Sequence, residues 1–344
     1  MPWSCAAGTG RATVEPVGRG PRRPQGRPPW TLPRSAEPRT GRERTGADAG
    51  AVALPATRIG DGAHHVIAVH GWFADRRAYA PVLDVLDRAT FSYAVPDLRG
   101  YGEARDIPGA CTAGEAARDV LALADALGWE RFSLVGHSMG AAVMQRVVLA
   151  APGRVRRMVG IAPVPASGVP LRGEQWELFA EAARRPANRR AIIDYTTGNR
   201  RPDAWLDLMV ERSVSCTDPA AFRRWLDSWA LEDFHGEVRG CRVPVRLVVG
   251  DGDPVLSAEV VRATWLRWYT AAELVELPAA GHYPLDETPL ETVRAVEDFL
   301  RADGRPGEAP DGGPQDPGGP GGPGGPGGPG GPGGVRAPRG REGA

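Results

Sequence analysis

Gly136-His137-Ser138-Met139-Gly140 constrains this chain more than any other stretch, because it joins a short apolar run, Phe132-Ser133-Leu134-Val135, to a helix-forming one, Ala141-Ala142-Val143-Met144-Gln145. A strand that enters a sharp turn with a serine at its apex and leaves as a helix is a nucleophile elbow. The turn forces the serine into a strained backbone conformation, and strand and helix can approach only if the flanking positions are glycine or similarly small. The hydroxyl is thereby held at a helix N-terminus, where the dipole favours developing negative charge.

A serine nucleophile needs a base, and the base needs an orienting carboxylate. Val245 to Val249 runs into Gly250-Asp251-Gly252-Asp253-Pro254, and Leu274 to Leu277 runs into Ala280-Gly281-His282-Tyr283-Pro284. Each reads as a buried strand spilling into a turn, which puts Asp253 and His282 near the C-terminal edge of the sheet where Ser138 stands. Asp251, two residues away, is the alternative orienting carboxylate and would leave Asp253 to cap the next helix. An oxyanion needs two donors. His70-Gly71-Trp72-Phe73 follows the first clear strand and offers the backbone N–H of Trp72 opposite that of Met139.

Short apolar runs at His65–Val69, Ser92–Val95, Phe132–Val135, Met158–Ile161, Val245–Val249 and Leu274–Leu277 alternate with helical patterns. That alternation argues for an α/β fold, a mostly parallel sheet with helices on both faces. The helix before the elbow is the clearest. Thr112 and Glu115 form a capping box, Ala117, Val120, Leu121, Ala124 and Leu127 make one apolar face, and Gly128 supplies the stop. From about Ser167 to Gly240 helical segments follow one another, an inserted cap whose Trp176, Phe179, Trp205, Phe222, Trp225 and Trp229 form its own core or line a pocket. The segment 51–62 is all that is left for an opening hairpin.

The formal net charge of the 344 residues is zero, so nothing draws the chain to nucleic acid or an anionic membrane, and a small-molecule substrate is the expected partner. The oligomeric state is not legible. Cys5, Cys111, Cys216 and Cys241 lack metal-site or redox-motif spacing, and His64, His65 and His235 have no partner spacing for a metal, so no cofactor or metal is expected. Reduced cysteines and the lack of an 18-residue apolar run or a secretory signal fit a cytoplasmic protein. Residues 1–50 read as a disordered Arg/Pro/Gly-rich arm, or as residues upstream of the true start. Residues 303–344, with Pro-Gly-Gly repeated from Pro317 to Gly334, read as a disordered tail, too short and uniform for a collagen triple helix.

Over roughly residues 51–302 the chain resembles a capped serine hydrolase of the α/β-hydrolase superfamily. The matching motifs are His70-Gly71, Asp97-Leu98-Arg99-Gly100-Tyr101-Gly102, the elbow at 136–140, Gly250 to Asp253, and Gly281-His282 with Glu287 and Pro289 following. The resemblance implies Ser138 as nucleophile, His282 as general base and acid, Asp253 as orienting carboxylate, and the main chain of Trp72 and Met139 as oxyanion hole. It implies a structural role for His70 and an ion pair for Asp97 with Arg99. Where the family commonly has a serine after the second glycine of the Asp97–Gly102 segment, Ala104 stands here. Serine at the elbow excludes relatives with a nucleophilic aspartate, the haloalkane dehalogenases and epoxide hydrolases. Trp72 is similar to cofactor-free perhydrolases, which follow it with proline where this chain has Phe73. The implied activity is cleavage of an ester, lactone or thioester of a small, mostly apolar molecule through an acyl-enzyme. The alternatives are a small-molecule receptor with little turnover, or a carbon–carbon hydrolase or perhydrolase using the same residues.

Overall fold

The computed structural model describes residues 50–302, and the expectations for the N-terminal arm and the Pro-Gly-Gly tail fall outside them. Among the described residues the strands are β1 (Ala56–Ile59), β2 (His64–Val69), β3 (Phe91–Pro96), β4 (Phe132–His137), β5 (Val155–Ile161), β6 (Val245–Gly250) and β7 (Ala272–Leu277). They form one sheet in the order β1-β3-β2-β4-β5-β6-β7. Every pairing is parallel except β1 with β3. The six expected strands are all present. The segment 51–62 supplies a single strand rather than a hairpin: β1 skips its sequence neighbour β2 and pairs with β3, burying only Ile59 of its four residues.

The helices in chain order are α1 (Ala113–Ala126), α2 (Met139–Ala150), α3 (Glu174–Glu181), α4 (Pro186–Thr196), α5 (Asp203–Cys216), α6 (Pro219–Leu231), α7 (His235–Val238), α8 (Ala258–Ala263), α9 (Trp265–Trp268), α10 (Pro284–Glu287) and α11 (Pro289–Arg301). Alternate residues of β2 divide between two apolar clusters: Ile67 and Val69 join the α1, α2 face, while Val66 and Ala68 join the face covered by α11 and the 3-10 helix Arg76–Val85. Strands β3 and β4 are buried along their whole length, which is why they read as continuous apolar runs instead of alternating ones. Helices α3 to α7 are inserted between β5 and β6.

Local details correct the sequence reading in two places. Thr112 Oγ1 does accept from the Glu115 N–H (3.1 Å), and Gly128 (φ +70°) does end α1. The Glu115 carboxylate, however, accepts from the N–H groups of Ala110 and Cys111 at 3.1 and 2.8 Å, so only half of the capping box forms. Asp97 and Arg99 are not paired with each other. Asp97 accepts from the amides of Arg76 and Glu103 and faces the Arg76 guanidinium, whereas buried Arg99 makes a two-pronged pair with buried Asp119 at 2.7 and 2.8 Å. Arg154 is half-buried and binds Asp125 and the carbonyls of Trp129 and Glu130.

Candidate active site

Ser138 sits between β4 and α2 with φ +51° and ψ −114°, a left-handed conformation that costs a non-glycine residue about 1–3 kcal/mol. Both flanking glycines are forced by space. A Cβ on Gly136 would lie 2.6 Å from the Gly140 carbonyl oxygen, and one on Gly140 would lie 2.5 Å from that of Val69. The turn is held by the Ser138 N–H donating to the Ile161 carbonyl (2.9 Å) and by the Ser138 carbonyl accepting from Ala141 and Val164.

The structure brings three of the sequence-derived residues into one hydrogen-bonded chain. His282 Nε2 is 3.0 Å from Ser138 Oγ, and His282 Nδ1 is 2.7 Å from Asp253 Oδ2. All three side chains are buried. The other Asp253 oxygen, Oδ1, accepts from the N–H groups of Val255 and Leu256 at 2.8 and 3.1 Å. That carboxylate therefore faces His282 and caps its own turn at once. Asp251, the alternative, points away: it is half-exposed and 3.7 Å from Arg200.

Gly71 lies against the elbow, since a Cβ there would be 3.3 Å from Ser138 Cβ. Among the described residues neither the Trp72 nor the Met139 amide donates to a protein acceptor, which leaves both available beside Ser138. His70 holds the loop in shape: its Nδ1 meets the Gly71 carbonyl (2.9 Å) and its Nε2 accepts from the Leu98 N–H (3.1 Å). Burial lowers its pKa, in keeping with a neutral ring whose Nε2 accepts. The Trp72 side chain is fixed from far along the sequence. Its Nε1–H donates to the Phe222 carbonyl (2.8 Å), its ring stacks on Phe222 at 4.1 Å, and its carbonyl accepts from Tyr101 Oη–H (2.9 Å). In the sequence Phe222 reads only as an aromatic of the insertion, because nothing local reports a contact across 150 residues.

No sequence signal singles out His137, the residue before Ser138. Burial pushes its pKa down to about 3, so the ring is neutral, and its Nε2–H donates to the His282 carbonyl at 2.8 Å. Above Ser138 lies a cavity of about 40 Å³, room for roughly three water molecules. Its walls are mainly apolar, with Phe179, Ile192 and Trp229 of the inserted helices opposite Trp72 and Leu256, and Ser138, Thr196, His282 and Tyr283 supply the polar edges. The insertion's aromatics thus divide: Phe179 and Trp229 face the cavity, while Trp225 is wholly buried and donates its Nε1–H to the Arg99 carbonyl (2.9 Å). Among the described residues no group of three or more His, Cys, Asp or Glu is gathered as for a metal ion, and no helix is long and apolar enough to cross a membrane. Cys111, Cys216 and Cys241 are free thiols.

A mostly parallel sheet of this order, with an elbow serine after β4, an aspartate after β6 and a histidine after β7, defines an α/β-hydrolase. A family model for the alpha/beta hydrolase family matches residues 66–296, and the chain belongs to that family, as a hydrolase similar to carboxylic ester hydrolases. It is 28% identical to a pimeloyl-[acyl-carrier protein] methyl ester esterase of Nitrosomonas europaea, over 67% of this chain and 94% of that one. It is also 28% identical to a 2-hydroxy-6-oxo-2,4-heptadienoate hydrolase of Pseudomonas putida, over 69% and 89% of the two chains. Among solved structures, the enol-lactonase of Burkholderia xenovorans shares the fold with a TM-score of 0.63, at 23% identity over 72% of this chain and 96% of that one.

Proposed function

We propose that the protein is a serine hydrolase that cleaves an ester, lactone or thioester of a small, mostly apolar molecule through an acyl-enzyme. The observation that carries the reading is the unbroken hydrogen-bonded chain from Ser138 through His282 to Asp253 beneath an apolar cavity. With the Nδ1 proton of His282 committed to Asp253, Nε2 accepts the Ser138 proton as Oγ attacks the carbonyl carbon. The amides of Trp72 and Met139 then meet the oxyanion, stabilising charge that exists only in the tetrahedral intermediate. The imidazolium returns its proton to the leaving alcohol or thiol, and a water activated by the same imidazole releases the acid. Apolar walls and a cavity of about 40 Å³ favour a short acyl group. The esterase and lactonase names among the similar proteins support the ester and lactone classes.

The test is turnover of p-nitrophenyl acetate, a small γ-lactone and a short acyl thioester by the wild type and by Ser138→Ala and His282→Ala. The expected result is hydrolysis of at least one class, falling about 10⁴- to 10⁶-fold in either variant. Binding without turnover in the wild type, or equal rates in all three proteins, overturns the reading.

A further inference from the structure

The segment that carries His282 is pinned at every peptide, and the groups that pin it lie outside the hydrogen-bonded chain itself. The N–H groups of Gly281 and Tyr283, one on each side of His282, both donate to the buried carboxylate of Glu287, to Oε2 at 2.9 Å and Oε1 at 2.8 Å. The N–H of His282 donates to the Thr196 carbonyl at 3.0 Å. Thr196 is the last residue of α4, and its carbonyl is one of those that a helix end leaves without an internal partner. The preceding carbonyls are taken up by the turn that follows α4: Arg201 Nη2–H donates to Ala279 at 2.7 Å and Arg200 Nη2–H to Ala280 at 3.0 Å, and Arg201 also pairs with Glu287. Ala279 needs such a hold, having φ +64°.

Packing makes the same connection through three glycines on three segments. A Cβ on Gly281 would lie 2.6 Å from Thr197 Cα and 3.0 Å from the Thr196 oxygen, and one on Gly198 (φ +71°) would lie 3.0 Å from the Gly252 oxygen. A Cβ on Gly252 would collide with the Arg200 guanidinium. The His282 loop, the Asp253 loop and the turn after α4 therefore meet backbone to backbone. The first two are also joined directly, by the Gly252 N–H donating to the Ala280 carbonyl at 2.8 Å.

We infer that Glu287 and the turn 196–201 of the inserted helices are positioning groups for His282, holding its backbone so that the imidazole spans Asp253 and Ser138. The inference rests on the reading of His282 as the base. Its mechanical consequence is that the α4–α5 part of the insertion is a fixed wall of the site, because lifting it would withdraw the carbonyl and the two guanidinium groups that hold residues 279–282. A displacement of about 1 Å at a reacting group is enough to cost on the order of 100-fold in rate.

The experiment compares Glu287→Gln and Arg200→Met with the wild type, using p-nitrophenyl ester kinetics, the rate of inactivation by a fluorophosphonate, and thermal melting. In Glu287→Gln the amide nitrogen cannot accept, so one of the two flanking N–H groups loses its partner and Arg201 loses its counter-charge. The expected result is a fall of about 10- to 100-fold in kcat with KM within about 3-fold, and an equal fall in fluorophosphonate rate. Arg200 is partly exposed and compensates no buried charge, so Arg200→Met is expected to fold and to lose about 5-fold in kcat by the same route. It decides the matter if Glu287→Gln does not fold. A variant set with lowered melting temperature and unchanged kcat for the folded protein makes these residues structural only, and overturns the inference. A wild type that neither turns over ester nor reacts with the fluorophosphonate overturns the reading of the site instead.

Discussion

Asp253→Asn tests the geometry of the site through a constraint that the structure makes explicit. Asp253 Oδ1 accepts from two main-chain N–H groups, Val255 and Leu256, while Oδ2 faces His282 Nδ1 at 2.7 Å. An asparagine has one oxygen, and turning its NH₂ toward two N–H donors would leave both amides of a buried turn unpaired, at about 1–3 kcal/mol each. The oxygen therefore stays with Val255 and Leu256, and the NH₂ faces His282. Nδ1 must then become the acceptor, Nε2 carries the proton, and the imidazole can no longer take one from Ser138. A wrong tautomer with intact geometry costs a Ser-His-Asp site about 10⁴ in kcat, or about 5.4 kcal/mol of transition-state stabilisation at 1.36 kcal/mol per tenfold. Asp251→Asn, which changes only a half-exposed group 3.7 Å from Arg200, is expected to stay within about 3-fold. Steady-state ester hydrolysis with melting curves alongside reads both. Retention of activity within about 10-fold in Asp253→Asn, or an equal loss in Asp251→Asn, refutes the assignment of Asp253 as the carboxylate that sets the tautomer.

Three further outcomes follow from the packing and charges. Arg99→Met leaves Asp119 buried without its cation and is expected to cost about 3–5 kcal/mol, a drop of about 10 °C in Tm by circular dichroism; a drop under about 2 °C contradicts this. Phe179→Ala removes part of the cavity wall and is expected to raise the hexanoate-to-acetate ratio of kcat/KM by about 10-fold or more, and an unchanged ratio means that the acyl group lies elsewhere. Stability is expected to fall from pH 7 to pH 5 in urea titrations. Burial lowers His137 from 6.5 to about 3 and also lowers His70, so between those values the unfolded chain binds protons that the folded one does not; this contribution is full above about pH 6.5 and lost as pH falls toward 3. Asp286, raised by burial from 3.8 to about 6, opposes it, since its folded form keeps a proton that the unfolded chain releases, a contribution present below 3.8 and lost as pH rises through 6. Asp286→Asn is accordingly expected to steepen the loss between pH 7 and pH 5 by about 1 kcal/mol, and a shallower loss contradicts the assignment.

The parts legible in the sequence are those built by short stretches. Ser138, Asp253 and His282 each lie within five residues of the end of an apolar run, so the strand-to-turn transition alone carries them to one edge of the sheet. The sequence favours Asp253 and keeps Asp251 as the alternative because both lie in the same turn, and which one points inward depends on the amides of Val255 and Leu256 receiving a carboxylate oxygen. Glu115 fits a capping-box spacing, yet its side chain turns to Ala110 and Cys111, where the positive φ of Cys111 exposes two amides that the pattern does not show. Arg99 has a carboxylate two residues before it in the chain and prefers Asp119, twenty residues on, because α1 packs that side chain where a rigid two-pronged pair can form. The support of Trp72 by Phe222, and of His282 by Thr196, joins the sheet to the inserted helices over distances at which no periodicity survives.

Activation of Ser138 is tested most directly by intact mass after incubation with a fluorophosphonate, wild type beside Ser138→Ala. Such a probe phosphonylates a serine whose proton is removed by an adjacent base and whose oxyanion is held. One adduct per chain is expected in the wild type and none in Ser138→Ala. An adduct that persists in Ser138→Ala, or none in a wild type that is folded by its melting curve, contradicts an activated Ser138 at the head of the His282–Asp253 chain.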